Sequence, residues 1–498
     1  MADLTAAPVQ PIPCRRPWLS APRLVLVVSA VASARLGLRP ISDNSTLVHL
    51  RTGLEILRTG HVPHHDPYSF TAPGHPWVVQ SWLASVLYAL ADRIGHPALV
   101  LEQGVLYGAV GVVIALAARS STAPRWGLAA GLAVAASAPG WSPRPLMFGL
   151  LCLGLTMVIS ERNAHPLWLV PVVWVWVNTH GSFPLGLVWL GAYAVGDAVD
   201  RRAWPRAAAV RVGAFGVGLV VALANPVGPR LLTFPLIALH KRAVFQGIVE
   251  WHSPNFQDPN SLIALVFICG SLLVLLRRQL PWAQVLPVCG FVALALIAAR
   301  NLGPLGVALA PALGAALASR PEVGATGDDP QQARHPALVW LDRLGRHRWW
   351  RAGVAMGACA ALAAFVVPVL RGSGLDLSSY PVAALTEAGR EGRLGPTHRI
   401  AAADVVGCYI VWRAGPATKV FIDDRYDMYP APVVHDAAAI AAARDDLTGV
   451  LEQWRVDTVV WSAAQAVPQQ LLTLGGWRQA WRDPSWVLLV RDDAAGPS

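Results

Sequence analysis

The sequence predicts a mostly α-helical protein that crosses a membrane many times and ends in a small soluble α/β domain. Of its 498 residues, 54% are hydrophobic and only 14% are charged, and the mean hydropathy is +0.44. Long apolar runs recur up to residue 371, after which the runs shorten and charges return. We therefore expect a transmembrane domain over residues 1–371 and a soluble domain over residues 372–498.

Eleven apolar segments predict transmembrane helices. A helix needs roughly 20 apolar residues to cross the hydrocarbon core, where its backbone groups must bond internally. In the first segment the apolar stretch follows Arg15, Arg16 and Arg23, and no small-residue cleavage site comes after it, so we interpret it as a retained span rather than a signal peptide. The segments are residues 22–41, 98–118, 126–140, 145–160, 166–179, 183–199, 207–224, 260–276, 282–299, 302–319 and 352–370.

The distribution of arginine predicts the orientation. Cytoplasmic loops carry the excess of Lys and Arg, and here arginines concentrate in alternate loops. This places the N-terminus in the cytoplasm and residues 41–97, 225–259 and 372–498 outside, in a multi-pass protein of a cell inner or plasma membrane. The net charge of +10 is spread over these loops, which argues against a nucleic-acid partner.

The external domain is expected to contain short strands and an alanine-rich helical stretch at residues 436–454. The predicted strands are residues 409–412, 420–423, 458–461 and 486–491. The pair Asp423 and Asp424 could hold a metal or a sugar, but a loop that pairs its own charges with Arg425 is favoured. The six cysteines show no CxxC spacing, which indicates neither disulfides nor a zinc site.

The first external loop carries the leading catalytic candidates. Asp43 directly follows the first span, where a carboxylate can act as base near a lipid-borne donor. The alternative is that Asp43 caps a helix starting near Ser45. Asp66 is the second candidate, although Asp66-Pro67 is also a common turn opening.

Histidines and arginines of the same side are candidates for substrate binding. His61, His64 and His65 lack the spacing of a helical metal-binding pair, so we assign no metal ligand and keep a divalent cation only as a candidate cofactor. Arg35 and Arg39, one turn apart near the end of the first span, suit either phosphate binding or snorkelling to headgroups.

Further polar residues fall at outward helix ends. Ionisable groups at membrane depth are costly unless they are paired or face water, so their collection on one face predicts a shared cleft. Individually, each is equally well explained as a helix cap, turn or ion pair. The substrate-binding candidates of this side are Arg35, His49, His65, Arg144, His180, Glu250 and Arg300.

Several motifs resemble those of bacterial membrane proteins of the C-type glycosyltransferase (GT-C) superfamily, polyprenyl-phosphate-sugar-dependent type. The similarity covers nearly the whole chain. A second aspartate typical of those relatives is replaced here by Ser45, which argues against a DxD-like metal site and leaves Asp43 first and Asp66 second. The motifs lie at residues 43–53, 62–70, 74–83, 144–145, 176–181, 225–229, 250–251, 300–301 and 421–429.

The resemblance implies transfer of a sugar from a polyprenyl-phosphate donor to an envelope glycan, lipid or protein acceptor on the external face. Asp43 would deprotonate the acceptor, and Arg35, Arg144 or Arg300 would neutralise the departing lipid phosphate. His49 and His180 would position sugar or phosphate oxygens. Two other functions stay open: a transporter or flippase of lipid-linked or polar solutes, for which no inverted repeat is found, and a noncatalytic component of envelope assembly.

Overall fold

The computed structural model describes residues 20–162, 164–241, 248–276, 279–318, 348–444 and 446–492. Each of the eleven predicted spans coincides with a helix in these residues, and three further helices lie in the predicted external loops. The helices up to residue 371 are α1 (Ala21–Gly37), α2 (Asn44–Thr59), α3 (Trp82–Ile94), α4 (His96–Ala117), α5 (Ala123–Ser137), α6 (Leu146–Glu161), α7 (Leu169–Thr179), α8 (Pro184–Arg201), α9 (Arg206–Val221), α10 (Arg230–His240), α11 (Pro259–Leu276), α12 (Trp282–Ile297), α13 (Leu302–Leu317) and α14 (Arg348–Arg371).

Helix packing and surface composition fit a lipid environment. In the described chain two helices are both long and apolar enough to cross a bilayer, α4 and the Ala352–Arg371 part of α14. Only 6% of the apolar window in α14 is buried, so this helix is not the core helix of a soluble protein. Large apolar side chains such as Val220 (66% exposed) and Val266 (62% exposed) also point outward from α9 and α11. Lipid is the medium in which such surfaces are stable.

The bundle core is formed by neighbouring helices that pack closely. α1 packs on α4, α5 on α13, α8 on α12 and α7 on α9. Outside the bundle, α2 packs on α3 at a contact that only glycine allows, because a Cβ on Gly53 would lie 1.9 Å from the carbonyl oxygen of Ser85. This close approach fixes α2, which carries Asp43 at its start.

The C-terminal region confirms a small sheet with helices. Strands β1 to β5 pair in the order β2-β1-β3-β5-β4, parallel among the first three and antiparallel at β5 and β4. The elements are α15 (Val382–Arg390), β1 (Arg399–Ala402), α16 (Asp404–Ala414), β2 (Lys419–Val420), α17 (Ala431–Ala441), α18 (Leu447–Gln453), β3 (Thr458–Ser462), α19 (Ala466–Leu474), β4 (Trp477–Arg482) and β5 (Trp486–Arg491).

The strand predictions were partly wrong. Residues 409–412 belong to helix α16 instead of a strand, because a short buried apolar run has no periodicity that separates the two. Residues 420–423 form a strand only at Val420, whereas β3 and β5 were predicted. β1 and β4 were missed, and the helical stretch at 436–454 is divided between α17 and α18.

The regions predicted to lie outside the membrane contact one another. The backbone of the first loop pairs with β2, since Val420 N–H donates to Tyr68 O and Phe70 N–H donates to Val420 O, both at 3.1 Å. Helix α16 packs on α2. From the region after α10, the Lys241 ammonium donates 2.5 Å to the carbonyl of Asp427. The C-terminal domain is thus docked directly on the candidate site.

Candidate functional site

Asp43 caps a helix and also forms an ion pair. It is the N-cap of α2, where Oδ1 accepts from the backbone N–H of Thr46 at 3.2 Å. Its other oxygen, Oδ2, accepts from Nε of Arg144 at 2.9 Å. The Asp43 side chain is 15% exposed, so this ion pair lies at a water-accessible edge. The helix cap therefore fixes the carboxylate through one oxygen and leaves the other oxygen for the contact with Arg144.

Arg144 is shared between two carboxylates. Its Nη1 donates to Glu250 Oε2 at 3.2 Å, in addition to the contact of Nε with Asp43. The loop that carries Arg144 is tied to α2, because the Thr46 hydroxyl donates to the carbonyl of Pro143 at 2.5 Å. Side chains from segments about 100 residues apart in sequence thus form one array of carboxylate, guanidinium and carboxylate at the predicted outer face.

His49 is held with a defined tautomer. Its Nδ1 lies 2.8 Å from the Ser85 hydroxyl, which itself donates to the carbonyl of Ser81 at 3.1 Å. Because that hydroxyl has a single proton, Nδ1 of His49 is the donor and Nε2 is an acceptor. Burial, reinforced by the charge of Arg144, lowers the pKa of His49 to about 4. The ring is therefore neutral at physiological pH.

His180 has the opposite tautomer. Its Nδ1 lies 3.2 Å from the backbone N–H of Ser182, a group that can only donate, so Nδ1 accepts and Nε2 carries the proton. Burial first, then Arg300 and His49, lower its pKa to about 3. Gly149 of α6 makes room for this turn, since a Cβ there would lie 2.5 Å from the Ser182 hydroxyl oxygen.

Arg300 is a second cation of the site and lies beside the segment that carries Glu250. The Arg300 guanidinium stacks 4.2 Å from the ring centroid of Trp251, the residue after Glu250. The backbone N–H of Ala299 donates to the carbonyl of His252 at 2.9 Å, which joins the α12–α13 turn to this segment. Arg300 lies close enough to Glu250 and Arg144 for both charges to influence it.

A residue of the C-terminal domain reaches the same site. Asp424 Oδ2 accepts from the side-chain amide of Asn44 at 3.3 Å, directly beside Asp43. Burial, then the charges of Asp423 and Asp43, raise the pKa of Asp424 to about 7, although Arg144 opposes the shift. The predicted loop that pairs its own charges describes Asp423 and Arg425 but not Asp424.

Asp66 occupies a different, structural position. Oδ1 accepts from the Tyr68 N–H at 3.0 Å and from Arg425 Nη2 at 2.7 Å, and Oδ2 accepts from the Ser69 N–H at 3.0 Å and from the Ser69 hydroxyl. With its oxygens engaged and the side chain buried, it holds the turn against the C-terminal domain. This geometry favours the turn-opening interpretation of Asp66 over a catalytic one.

Two other substrate-binding candidates also lie elsewhere. Arg35 is exposed on α1, and its guanidinium lies 4.3 Å from the ring centroid of Phe365 on α14. His65 is exposed, and its backbone forms an isolated bridge with Pro76. Within the described parts of the chain no group of three or more His, Cys, Asp or Glu side chains is arranged to hold a metal ion.

Comparison with solved structures gives the fold. ArnT from Cupriavidus metallidurans in the apo state matches with a TM-score of 0.51 at 16% identity over 96% of this chain and 98% of that chain. The archaeal oligosaccharyltransferase AglB from Archaeoglobus fulgidus, in complex with an inhibitory peptide and a dolichol-phosphate, matches with a TM-score of 0.50 at 12% identity over 96% and 75% of the two chains. No protein-family model matches the chain, and no curated protein sequence matches it.

The chain therefore has the fold that ArnT and AglB share.

Proposed function

We propose that this protein is a membrane glycosyltransferase that moves a sugar from a polyprenyl-phosphate donor to an envelope glycan, lipid or protein acceptor on the external face. The observation that carries the proposal is the array Asp43–Arg144–Glu250, which joins the start of the first predicted external loop to two later segments, in a chain with the GT-C fold. The dolichol-phosphate bound to AglB supports a lipid-phosphate donor.

In the proposed reaction Asp43 is the base. One oxygen is fixed by the helix cap, and the other is bound to Arg144 at the water-accessible edge. The acceptor hydroxyl loses its proton to Asp43 as its oxygen attacks the anomeric carbon, and the bond from that carbon to the phosphate oxygen breaks. The displacement inverts the anomeric centre.

Arg144 links the donor to the base. A guanidinium already shared between two carboxylates can exchange one partner for a phosphate oxygen, because its fork of donors matches both anions. When phosphate takes the place of Asp43, that carboxylate loses its cationic partner and becomes more basic. Donor binding would thereby activate Asp43. Arg300, close to Glu250, adds positive charge where the phosphate charge grows.

The two neutral histidines fit complementary roles. His49 presents an acceptor nitrogen, which suits a hydroxyl group of a sugar or acceptor. His180 presents an N–H, which suits a phosphate oxygen.

The test is a transfer assay with purified protein in lipid. Radiolabelled polyprenyl-phosphate hexose and pentose would be supplied with an envelope extract as the source of acceptor. We expect wild-type protein to transfer label and Asp43→Asn to lose transfer by about 10²-fold or more, the usual range for a general base. The matched control is Asp446→Asn, an exposed carboxyl of the C-terminal domain. Equal transfer by wild type and Asp43→Asn would refute the role of Asp43, and absence of transfer by wild type would refute the proposed function.

A further inference from the structure

The adjacent residues Asp423 and Asp424 have opposite surroundings. Asp423 is fully buried, and Arg425 binds both its oxygens, with Nε at 2.8 Å from Oδ1 and Nη2 at 2.6 Å from Oδ2. Asp424 has no such ion pair within the described residues. Its hydrogen-bond donors are neutral, the Asn44 amide at 3.3 Å and the Ser45 hydroxyl. The C-terminal domain thus places an unpaired carboxyl beside Asp43.

We propose that Asp424 is the second carboxyl of the active site and that it gives its proton to the phosphate oxygen that leaves the sugar. This inference rests on the proposed function and adds a proton donor to it. It also means that the site is complete only when the C-terminal domain is docked on α2.

The proton balance of the step is closed. The acceptor hydroxyl gives its proton to Asp43 and its oxygen forms the new bond to the anomeric carbon. The carbon–oxygen bond to phosphate breaks, its electrons stay on the phosphate oxygen, and that oxygen takes the proton of Asp424. Asp43 ends protonated and Asp424 ionised, and exchange with water restores both.

The surroundings of Asp424 keep a proton available near neutral pH. Burial raises its pKa to about 7, with further contributions from Asp423 and Asp43 that Arg144 partly offsets. A phosphate monoester has a second pKa of about 6. The pKa of Asp424, which gives the proton, is therefore close to that of the phosphate oxygen, which receives it. The charged or titratable groups around Asp424 are Asp43 at the start of α2, Arg144 before α6, Tyr380 before α15, Cys408 on α16, and Asp423 and Tyr426 of its own loop. The Tyr426 hydroxyl donates to Asp404 on α16.

The test compares Asp424→Asn with wild type in lipid, using the same polyprenyl-phosphate hexose and pentose. We expect the wild-type rate to fall as pH rises through about 7 and the variant to be roughly 10²-fold slower without that fall. A second variant, Asn44→Ser, removes an amide that stabilises the ionised form, so the fall should move to higher pH. Asp446→Asn is the control for loss of an exposed carboxyl.

Thermal unfolding supplies a second measurement that does not need turnover. A raised carboxyl pKa stabilises the fold at low pH, and this contribution is lost as pH rises through the folded value. Because the loss begins at the unfolded value near 3.8, Asp424→Asn should unfold at nearly the same temperature as wild type at pH 4, at a higher temperature at pH 5.5, and by the largest margin at pH 8.5.

The outcomes separate this inference from the proposed function. If wild type transfers sugar and Asp424→Asn matches its rate and pH profile, the inference is overturned and the function stands. If Asp424→Asn is less stable than wild type at pH 8.5, Asp424 is a structural residue and the inference fails. If wild type transfers nothing, both fail.

Discussion

Replacing Arg425 should detach the C-terminal domain from the first external loop. Its guanidinium is 6% exposed and bridges Asp66 at 2.7 Å and Asp423 at 2.6 Å, while it lies 4.4 Å from the ring centroid of Trp77. Removing one member of a buried ion pair costs about 3 to 5 kcal/mol, because a buried charge is left without compensation. In Arg425→Ala two carboxylates are left, so we expect the upper end of that range.

Tryptophan fluorescence during heating would measure the effect. A domain of this size loses several degrees of unfolding temperature per kcal/mol, so Arg425→Ala should unfold at least about 10 °C below wild type. Arg425→Lys keeps the charge but not the planar fork of donors, so its unfolding temperature should lie between those of Arg425→Ala and wild type. The control is Arg444→Ala, which changes an exposed arginine of the same domain. If Arg425→Ala unfolds within about 2 °C of the control, the buried network does not stabilise the docked domain.

Two further predictions concern the site. Arg144→Lys retains the charge but cannot bind two anions in the geometry of the guanidinium, so kcat/KM should fall about 10- to 100-fold. The value is measured by varying the concentration of the lipid donor. An unchanged kcat/KM would contradict phosphate binding by Arg144. Because His49 and His180 have pKa values of about 4 and 3 when folded, the unfolded chain binds more protons below pH 6.5 and stability should drop as pH falls from 6.5 to 4. The variant His49→Asn keeps a donor toward Ser85, and its stability should depend less on pH between 6.5 and 4 in unfolding measurements. The same pH dependence in variant and wild type would contradict the lowered pKa of His49.

The helices at the eleven predicted spans were predictable because lipid imposes a strong constraint on the sequence of a segment that crosses it. A span must be apolar along its length, so each of the eleven predicted segments lies on a helix, even the short α7. The helices α2, α3 and α10, which lie in the loops predicted to be external, follow no such rule and were not predicted, apart from the capped start of α2. In the C-terminal domain, tertiary packing decides between helix and strand, which is why the apolar run in α16 was predicted as a strand.

The sequence predicted which residues lie on the same face of the protein, but not which of them contact one another. Orientation from arginine placed Asp43, Arg144 and Glu250 on one face, and the structure joins them through hydrogen bonds. Arg35 was assigned by its nearness in sequence to Asp43. Arg35 lies on α1, which ends at Gly37 before the chain reaches Asp43, and its guanidinium stacks instead on Phe365 of α14.

The sequence Asp-Asp-Arg at residues 423–425 shows why the ion-pair partner of a residue cannot be predicted from its neighbours in sequence. A self-paired loop predicts that the arginine neutralises both acids, but consecutive side chains of an extended loop point in different directions. Arg425 turns inward with Asp423 and recruits Asp66 from a loop about 360 residues away, so that arrangement leaves Asp424 facing Asn44. The same ion pairs that dock the domain thus also set the position of the carboxyl beside Asp43. Loss of Arg425 should consequently reduce sugar transfer as well as stability, even though within the described residues Arg425 forms no hydrogen bond or ion pair with Asp43 or Arg144.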